Sequence, residues 1–310
     1  MQAQQRAQWM QEAKWGVMSH YLAEWIARAG GFEMTVDKWN ELADNFDVEG
    51  VANQLQKIGA KYYIISIGQN SGYFLAPNPV YDHLTGISPS KCSRRDLVAD
   101  LSKALRQRDI RLIVYLPAGA PARDREAVRA LEWTNGPSPN VAFQRKWEQV
   151  ISWWSTRWGD AIDGWWFDGC YWPNHMYRGS EPNFESFARA ARIGNPNNVV
   201  AFNPGVLNRT ISITPHEDYI AGEIEDPARI SIRRVFDGLA DGNQFQILSY
   251  LGERWGTGAP RFETHQVIEW SKRVIAEKGA FTWDVPVQTN GLIREEFMEQ
   301  LIELGKALSE

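Results

Sequence analysis

Eight short apolar runs recur along this chain of 310 residues, and amphipathic stretches separate most of them. The runs are Trp15 to Ser19, Lys61 to Ile67, Arg111 to Leu116, Gly164 to Asp168, Asn198 to Asn203, Asp218 to Glu223, Phe245 to Tyr250 and Ala280 to Asp284. Each has strand length and β-rich content, and most stop at Gly, Pro, Asn or a carboxylate. Runs that are apolar at successive positions are covered on both faces, as in a parallel sheet under helices. Helical patterns span Val48 to Gly59, Arg95 to Arg108, Asn140 to Trp158, Glu181 to Ile193, Glu263 to Lys278 and Ile293 to Leu308. In the second of these Leu97, Leu101 and Leu105 recur every four residues, and Ser138-Pro139-Asn140 opens the third with a start signal.

Eight buried strands alternating with helices predict an α/β fold of the (β/α)8 TIM-like barrel type. The connection after the fifth run is short and poor in helix signal, and the one after the sixth is ambiguous, so one or two helices are expected to be degenerate. An open doubly wound sheet is the rival, but no G-x-G-x-x-G or Walker pattern follows any strand. With no Pro/Ser linker and no internal repeat, residues 1–310 are expected to form a single domain.

Composition narrows the partners. The net charge of −5 and the lack of a Lys/Arg cluster argue against nucleic acid or an anionic membrane. No run approaches a membrane span, and Met1 to Gln11 is polar and helix-forming without an apolar h-region, so the default expectation is a cytoplasmic protein unless a leader was trimmed. Cys92 and Cys170 suit neither a disulfide framework nor a metal site and are expected as free thiols. Asn208-Arg209-Thr210 matches a glycosylation sequon. The 15 Trp residues are the unusual count, compatible with a Trp-rich core or with a surface that binds sugars.

In a barrel of this kind the chemistry gathers at the C-terminal ends of the strands. Those ends carry His20, Gln69, Asn70, Pro117, Asp168, Asn203, Glu223 with Glu225, Tyr250 with Glu253, and Asp284, among Trp25, Trp165, Trp172, Trp255 and Trp283. Asp163-Gly164-Trp165-Trp166-Phe167-Asp168-Gly169 stands out. An apolar strand stops there at a carboxylate whose burial costs several kcal/mol unless the site partners it or leaves it for a ligand. Of the five His residues only His20 falls on a strand tip, and no His-x-His pair exists, so neither metal nor cofactor is expected. No G-x-S-x-G elbow supports serine chemistry. Two carboxylates from different strands suit glycoside hydrolysis, and Asp168 and Glu223 could face each other across the barrel mouth. The acidic Glu223-Ile224-Glu225-Asp226 cluster has a plainer reading as the start of a helix at Pro227.

The chain resembles the family 29 α-L-fucosidases. Ala13-Lys14-Trp15-Gly16-Val17-Met18-Ser19-His20 is similar to that family's first strand, which ends in a sugar-binding His, and Gly59-Ala60-Lys61-Tyr62-Tyr63 to its second. Arg94-Arg95-Asp96-Leu97-Val98 resembles the start of the helix before the third strand. Trp166-Phe167-Asp168-Gly169 matches the nucleophile motif. Asp218 to Glu223 resembles the segment with an acidic residue, and Phe281 to Pro286 with Asn290-Gly291 the last strand and turn. The departures are Gln69-Asn70 in place of an adjacent His pair, Tyr21 in place of a Trp, Asn203-Pro204-Gly205 where an Arg is expected, and no C-terminal β-sandwich. An amide pair reads hydroxyls with a different donor and acceptor pattern.

The resemblance implies a retaining exo-glycoside hydrolase with a carbohydrate substrate. Asp168 would be its nucleophile and Glu223 its acid/base, with Glu225 and then Glu253 as fallbacks. His20, Gln69, Asn70 and Asn203 would hydrogen-bond sugar hydroxyls, and Trp25, Trp165 and Trp255 would line the pocket. The alternatives are a non-catalytic carbohydrate-binding barrel and a hydrolase of another sugar or of a metal-assisted kind.

Overall fold

A computed structural model describes residues 3–207 and 209–309; Asn208 of the sequon lies outside the described residues, as do Met1 and Gln2. Seven strands form one wholly parallel sheet. They are β1 (Trp15–Ser19), β2 (Tyr62–Ser66), β3 (Arg111–Pro117), β4 (Gly164–Asp168), β5 (Val199–Phe202), β9 (Gln246–Tyr250) and β10 (Ala280–Asp284), in the order β5-β4-β3-β2-β1-β10-β9. Between β5 and β9 the chain adds a small antiparallel meander of β6 (Val235–Phe236), β7 (Leu239–Ala240) and β8 (Asn243–Gln244). The predicted helices appear as α4 (Val48–Ile58), α6 (Leu97–Arg106), α8 (Val141–Trp158), α9 (Phe184–Arg192), α10 (Thr264–Ala276) and α11 (Glu295–Ser309). Shorter helices α2 (Ala23–Gly30), α3 (Val36–Asp44), α5 (Pro79–Thr85) and α7 (Arg125–Ala130) occupy the loops. Among the described residues, the connection from β5 to β9 holds no α-helix, only a single 3-10 turn at Pro227–Arg229 and the meander.

The two-residue period of each strand divides its side chains between two cores. Val17, Tyr63, Ile65, Val114, Trp165, Phe167, Val200, Phe202, Ile247, Phe281 and Trp283 face the surrounding helices. Met18, Tyr62, Ile64, Ile113, Tyr115, Trp166, Val199, Ala201, Leu248 and Ala280 turn the other way and pack on one another inside the curl of the sheet. Helix α1 (Ala3–Ala13) closes that interior from below, adding Ala7 and Met10 to the inner cluster. Trp9 meets the edge of Tyr62 at 5.8 Å, and the Arg111 guanidinium lies 4.7 Å from the Trp9 ring. Contacts of α1 with both β5 and β10 require the sheet to curl far enough to bring distant strands under one helix.

The predicted sixth strand, Asp218 to Glu223, is not a regular strand. Residues 218–224 run between β5 and β9 and touch β9 and β8 only through isolated bridges at Glu223 with Leu248 and Tyr219 with Gln244. On the edge of β5 that faces this segment, two N–H groups find carboxylates, although the Asp218 N–H does donate to the Val200 carbonyl at 2.8 Å. Val200 N–H donates to Asp218 Oδ2 at 2.9 Å and Phe202 N–H to Glu217 Oε2 at 3.3 Å. Asp218 is fully buried and also holds Arg6 of α1, at 2.8 Å, and Arg192 of α9. One further cause is Gly222, whose φ of 64° lies in the left-handed region and whose added Cβ would stand 2.0 Å from the Gln246 carbonyl oxygen. Only glycine permits this bend against β9.

Substituting that glycine tests whether the bend is required. Gly222→Ala should destabilise the fold by roughly 2–4 kcal/mol, the combined cost of a left-handed alanine and an overpacked backbone contact. Urea unfolding checks this, and an unchanged midpoint would contradict the stated geometry.

Candidate active site

Alternation along the strands carries past their ends and sends His20, Asp168, Asn203, Glu223 and Asp284 to the same inward side as the interior cluster. Asp168 closes β4, Asp284 closes β10, and His20 follows β1 directly. Asn203 follows β5, and Glu223 follows the Gly222 bend.

A single amide joins the two carboxylates. Asn203 Nδ2 donates to Asp168 Oδ1 at 2.8 Å and to Glu223 Oε2 at 2.6 Å, so these two oxygens lie no more than 5.4 Å apart. The other Asp168 oxygen accepts the Tyr115 hydroxyl at 2.6 Å, and Gln69 Nε2 donates to that hydroxyl at 2.5 Å. Burial and then the Asp168 charge hold the Tyr115 phenol well above its ordinary range, which keeps it a donor. Burial, reinforced by the charge on Asp168, pushes Glu223 up to about 8, while the bond from Asn203 and the charge of His20 work against that rise. A carboxyl group with that value carries its proton at neutral pH.

His20 is held opposite. Its Nδ1 lies 2.7 Å from Asp284 Oδ1, and Gly256 N–H donates to the other Asp284 oxygen at 2.5 Å. Burial alone would lower the imidazole pKa, but Asp284, with smaller help from Asp168 and Glu223, outweighs it and the net direction is upward. Trp25 stacks on the His20 ring at 4.9 Å, and Trp255 meets its edge at 6.0 Å.

The sequence-predicted residues separate clearly. The structure brings Asp168, Glu223, Asn203, His20, Trp25, Trp255, Gln69 and Asn70 to one mouth. Asn70 Nδ2 donates to Gln69 Oε1 at 3.0 Å, and Glu24 fixes their loop by accepting from Asn70 N–H at 2.9 Å and Ser71 Oγ at 2.6 Å. Trp165, expected in the pocket wall, is instead fully buried on the helix side, 5.4 Å from Phe167 and 5.8 Å from Trp158. It precedes Asp168 by three positions, an odd number, and so points the opposite way; Trp166 is the inward neighbour and stacks on Tyr115 at 5.3 Å. Glu225 and Glu253 are exposed and stand apart from the acid pair. The helix-start reading of the acidic cluster holds for Asp226, which accepts from Ala228 N–H at 3.0 Å. Both cysteines are free and buried.

Sequence reasoning missed Tyr115, Glu24 and the loop tyrosine Tyr171. Tyr171 lines the same cleft as Asp168, and Asp168, burial and Glu223, in that order, push its phenol up to about 12. The usable signal for Tyr115 was its odd position in β3, one step of the period below Pro117, the register partner of Asp168. Among the described residues no group of three or more His, Cys, Asp or Glu is arranged to hold a metal ion, and no helix is long and apolar enough to cross a membrane.

The α-L-fucosidase family model matches residues 1–310, the whole chain. The chain belongs to the α-L-fucosidase family. That family is one of glycoside hydrolases, enzymes that act on carbohydrates. A search of curated proteins finds no match. Among solved structures it is similar to the endo-fucoidan hydrolase MfFcnA4 of glycoside hydrolase family 107, with a TM-score of 0.77 and 20% identity over 100% of this chain and 54% of that one. It thus spans about half the length of that neighbour. The endo-fucoidan hydrolase P5AFcnA of the same family gives a TM-score of 0.74 and 16% identity over 98% of this chain and 93% of the other. The family 29 α-L-fucosidase from Bacteroides thetaiotaomicron gives 0.64 and 18% over 98% and 73%. At these identities the likeness is one of fold, an α/β architecture whose curled parallel sheet agrees with a TIM-like barrel.

Removing the shared amide should expose its electrostatic part. Asn203→Ala deletes a bond to the ionised form of Glu223 and should move that group's titration above its present value of about 8, by on the order of one unit. Carboxyl carbon shifts followed through a pH titration read this directly, and a downward move would refute the assignment.

Proposed function

We propose that this protein is an exo-acting glycoside hydrolase of α-L-fucosidase type that works with retention of configuration, on a single-domain barrel completed by residues 218–224. Asp168 is the nucleophile and Glu223 the acid/base. The observation that carries the reading is the amide of Asn203, which keeps one oxygen of each carboxylate within 5.4 Å of the other. Retaining enzymes need their carboxyl groups ~5–5.5 Å apart, and inverting ones roughly 6.5–9.5 Å to admit a water.

In the first step Asp168 Oδ2 or Oδ1 attacks the anomeric carbon as the glycosidic bond breaks, and the Glu223 carboxyl gives its proton to the leaving oxygen. In the second step Glu223, now ionised, takes a proton from water, which attacks the glycosyl-enzyme and releases Asp168. The protonated state that the first step needs is supported by the raised Glu223 value. Tyr115 and Asn203 donate to Asp168 and hold its carboxylate in line. His20, oriented through Nδ1 by Asp284, is left with Nε2 for a sugar hydroxyl. Trp25 and Trp255 close the His20 side of the ring, which supports cleavage at a chain end. Gln69 and Asn70 contribute by fixing Tyr115 and the adjoining loop, since their side chains bond to protein groups.

Two measurements test this. Asp168→Ala should remain folded and lose at least about a thousandfold in turnover of aryl α-L-fucosides, because the covalent step is gone; near-normal rates would reject the mechanism. For the pH profile, the acid acts only while protonated, so kcat/KM should decline as pH rises through the Glu223 value of about 8. In Glu223→Gln that alkaline limb should vanish along with most turnover of substrates with poor leaving groups, and an unchanged limb would assign it to another group.

A further inference from the structure

The 15 Trp residues divide by exposure, and the division singles out one of them. Nine are buried. Of the half-buried ones, Trp25 and Trp255 flank His20, and Trp133 and Trp172 line the cleft beside Asp168. Trp153 lies against the Arg157 guanidinium on the outer helices. That leaves Trp9, on α1, at the opposite end of the sheet. Trp9 lines a cup of about 510 Å³ where α1 passes beneath the starts of β3, β4 and β5. Asp163 in the cup and Asp168 at the mouth are joined through β4, roughly 16 Å of extended chain. We propose that this cup is a second carbohydrate-binding site, non-catalytic and independent of the acid pair, that takes a neutral oligosaccharide.

The lining has the chemistry that such a ligand needs. Three guanidiniums, of Arg6, Arg106 and Arg111, are matched by three carboxylates, of Glu12, Asp160 and Asp163, so formal charge cancels. A sugar hydroxyl both donates and accepts, and it can use partners of either sign without bringing a charge of its own. An anion or a cation would be attracted by half of that lining and repelled by the other half. One wall is preset. Arg111 is held by Asp163 at 2.7 Å and lies 4.7 Å from the Trp9 ring, while Trp9 meets Tyr62 at 5.8 Å. The Arg111 side chain is nonetheless 47% exposed, with N–H groups left for a ligand. Arg106 and Asp160 stand 3.9 Å apart, too far for a hydrogen bond, and Asp160 is 91% exposed. The amide side chains of Gln5 and Asn197 make no hydrogen bond among the described residues. Groups that only stabilise a fold saturate one another. Here donors and acceptors of both kinds are left facing one concave space beside an indole, the pattern of a small-ligand site.

The test follows the Trp9 indole N–H by NMR, assigned through its loss in Trp9→Phe, as neutral fucosyl-lactose is added. The signal should move saturably with a Kd on the order of 1 mM. It should do so equally in Asp168→Ala, because the cup does not use the acid pair. Asp160→Ala combined with Asn197→Ala changes two exposed positions, which keeps the fold intact. That double variant should bind the trisaccharide at least about tenfold more weakly, with kcat/KM on para-nitrophenyl α-L-fucoside within about twofold of the unaltered protein. A Trp9 signal that does not move overturns the proposal. So does one that moves as before in the double variant, or that inorganic sulfate moves equally well. The two readings fail separately. Saturation at Trp9 without turnover of the aryl fucoside rejects the hydrolase and keeps the cup, and turnover with the Trp9 signal unmoved does the reverse.

Discussion

The amide of Asn203 sits where two costs meet. Two carboxylates brought into a largely buried mouth repel each other, and each loses hydration. One N–H group donated to each, from a nitrogen fixed at the end of a strand, offsets part of both costs without adding a charge that would suppress the acid's proton. Asn203 is itself held, since its Oδ1 accepts from Gly205 N–H at 3.1 Å and its own N–H donates to the Phe167 carbonyl at 2.7 Å. Its side chain has no donor left over. The residue expected to read a sugar hydroxyl instead bridges Asp168 and Glu223.

The rest of the molecule follows from how the strands deliver that mouth. Parallel strands buried on both faces need side chains for two cores, and the period of two assigns them without ambiguity. The outer core binds the helices. The inner core, floored by α1, sets the depth at which the last inward residue of each strand emerges. Tyr115 stacks on Trp166 within that interior and turns its hydroxyl up to Asp168, so the packing of the floor and the geometry of the nucleophile are continuous.

Much of this was legible in the sequence, and the failures have particular causes. Seven of the eight apolar runs are strands, and the place of Asp168 at the mouth was readable because its apolar strand stops there at a carboxylate and a glycine. The run from Asp218 to Glu223 misled because its composition is that of a strand, whereas its backbone makes only isolated bridges and two N–H groups of β5 are taken by the side chains of Asp218 and its neighbour Glu217. Composition carries no signal for that exchange. Trp165 was misplaced because two adjacent tryptophans look equivalent until positions are counted back from Asp168. Tyr115 was hidden by an apolar run in which an aromatic residue reads as core, and Glu24 by a helix whose acidic first turn looks like ordinary dipole complementation.

The bend at Gly222 has a further implication for how such a site changes over generations. Asp168, the proposed nucleophile, stands on β4, laced to a neighbour on either side, where insertion or slippage would propagate through the sheet. Glu223, the proposed proton donor, stands on a stretch tethered by scattered bridges and side-chain props, in a connection whose described residues form no α-helix. Lengthening or rerouting that stretch disturbs little else. A lineage can therefore trade one proton donor for another along this seam while the attacking group stays where it is, which makes the seam the evolvable half of the reaction centre.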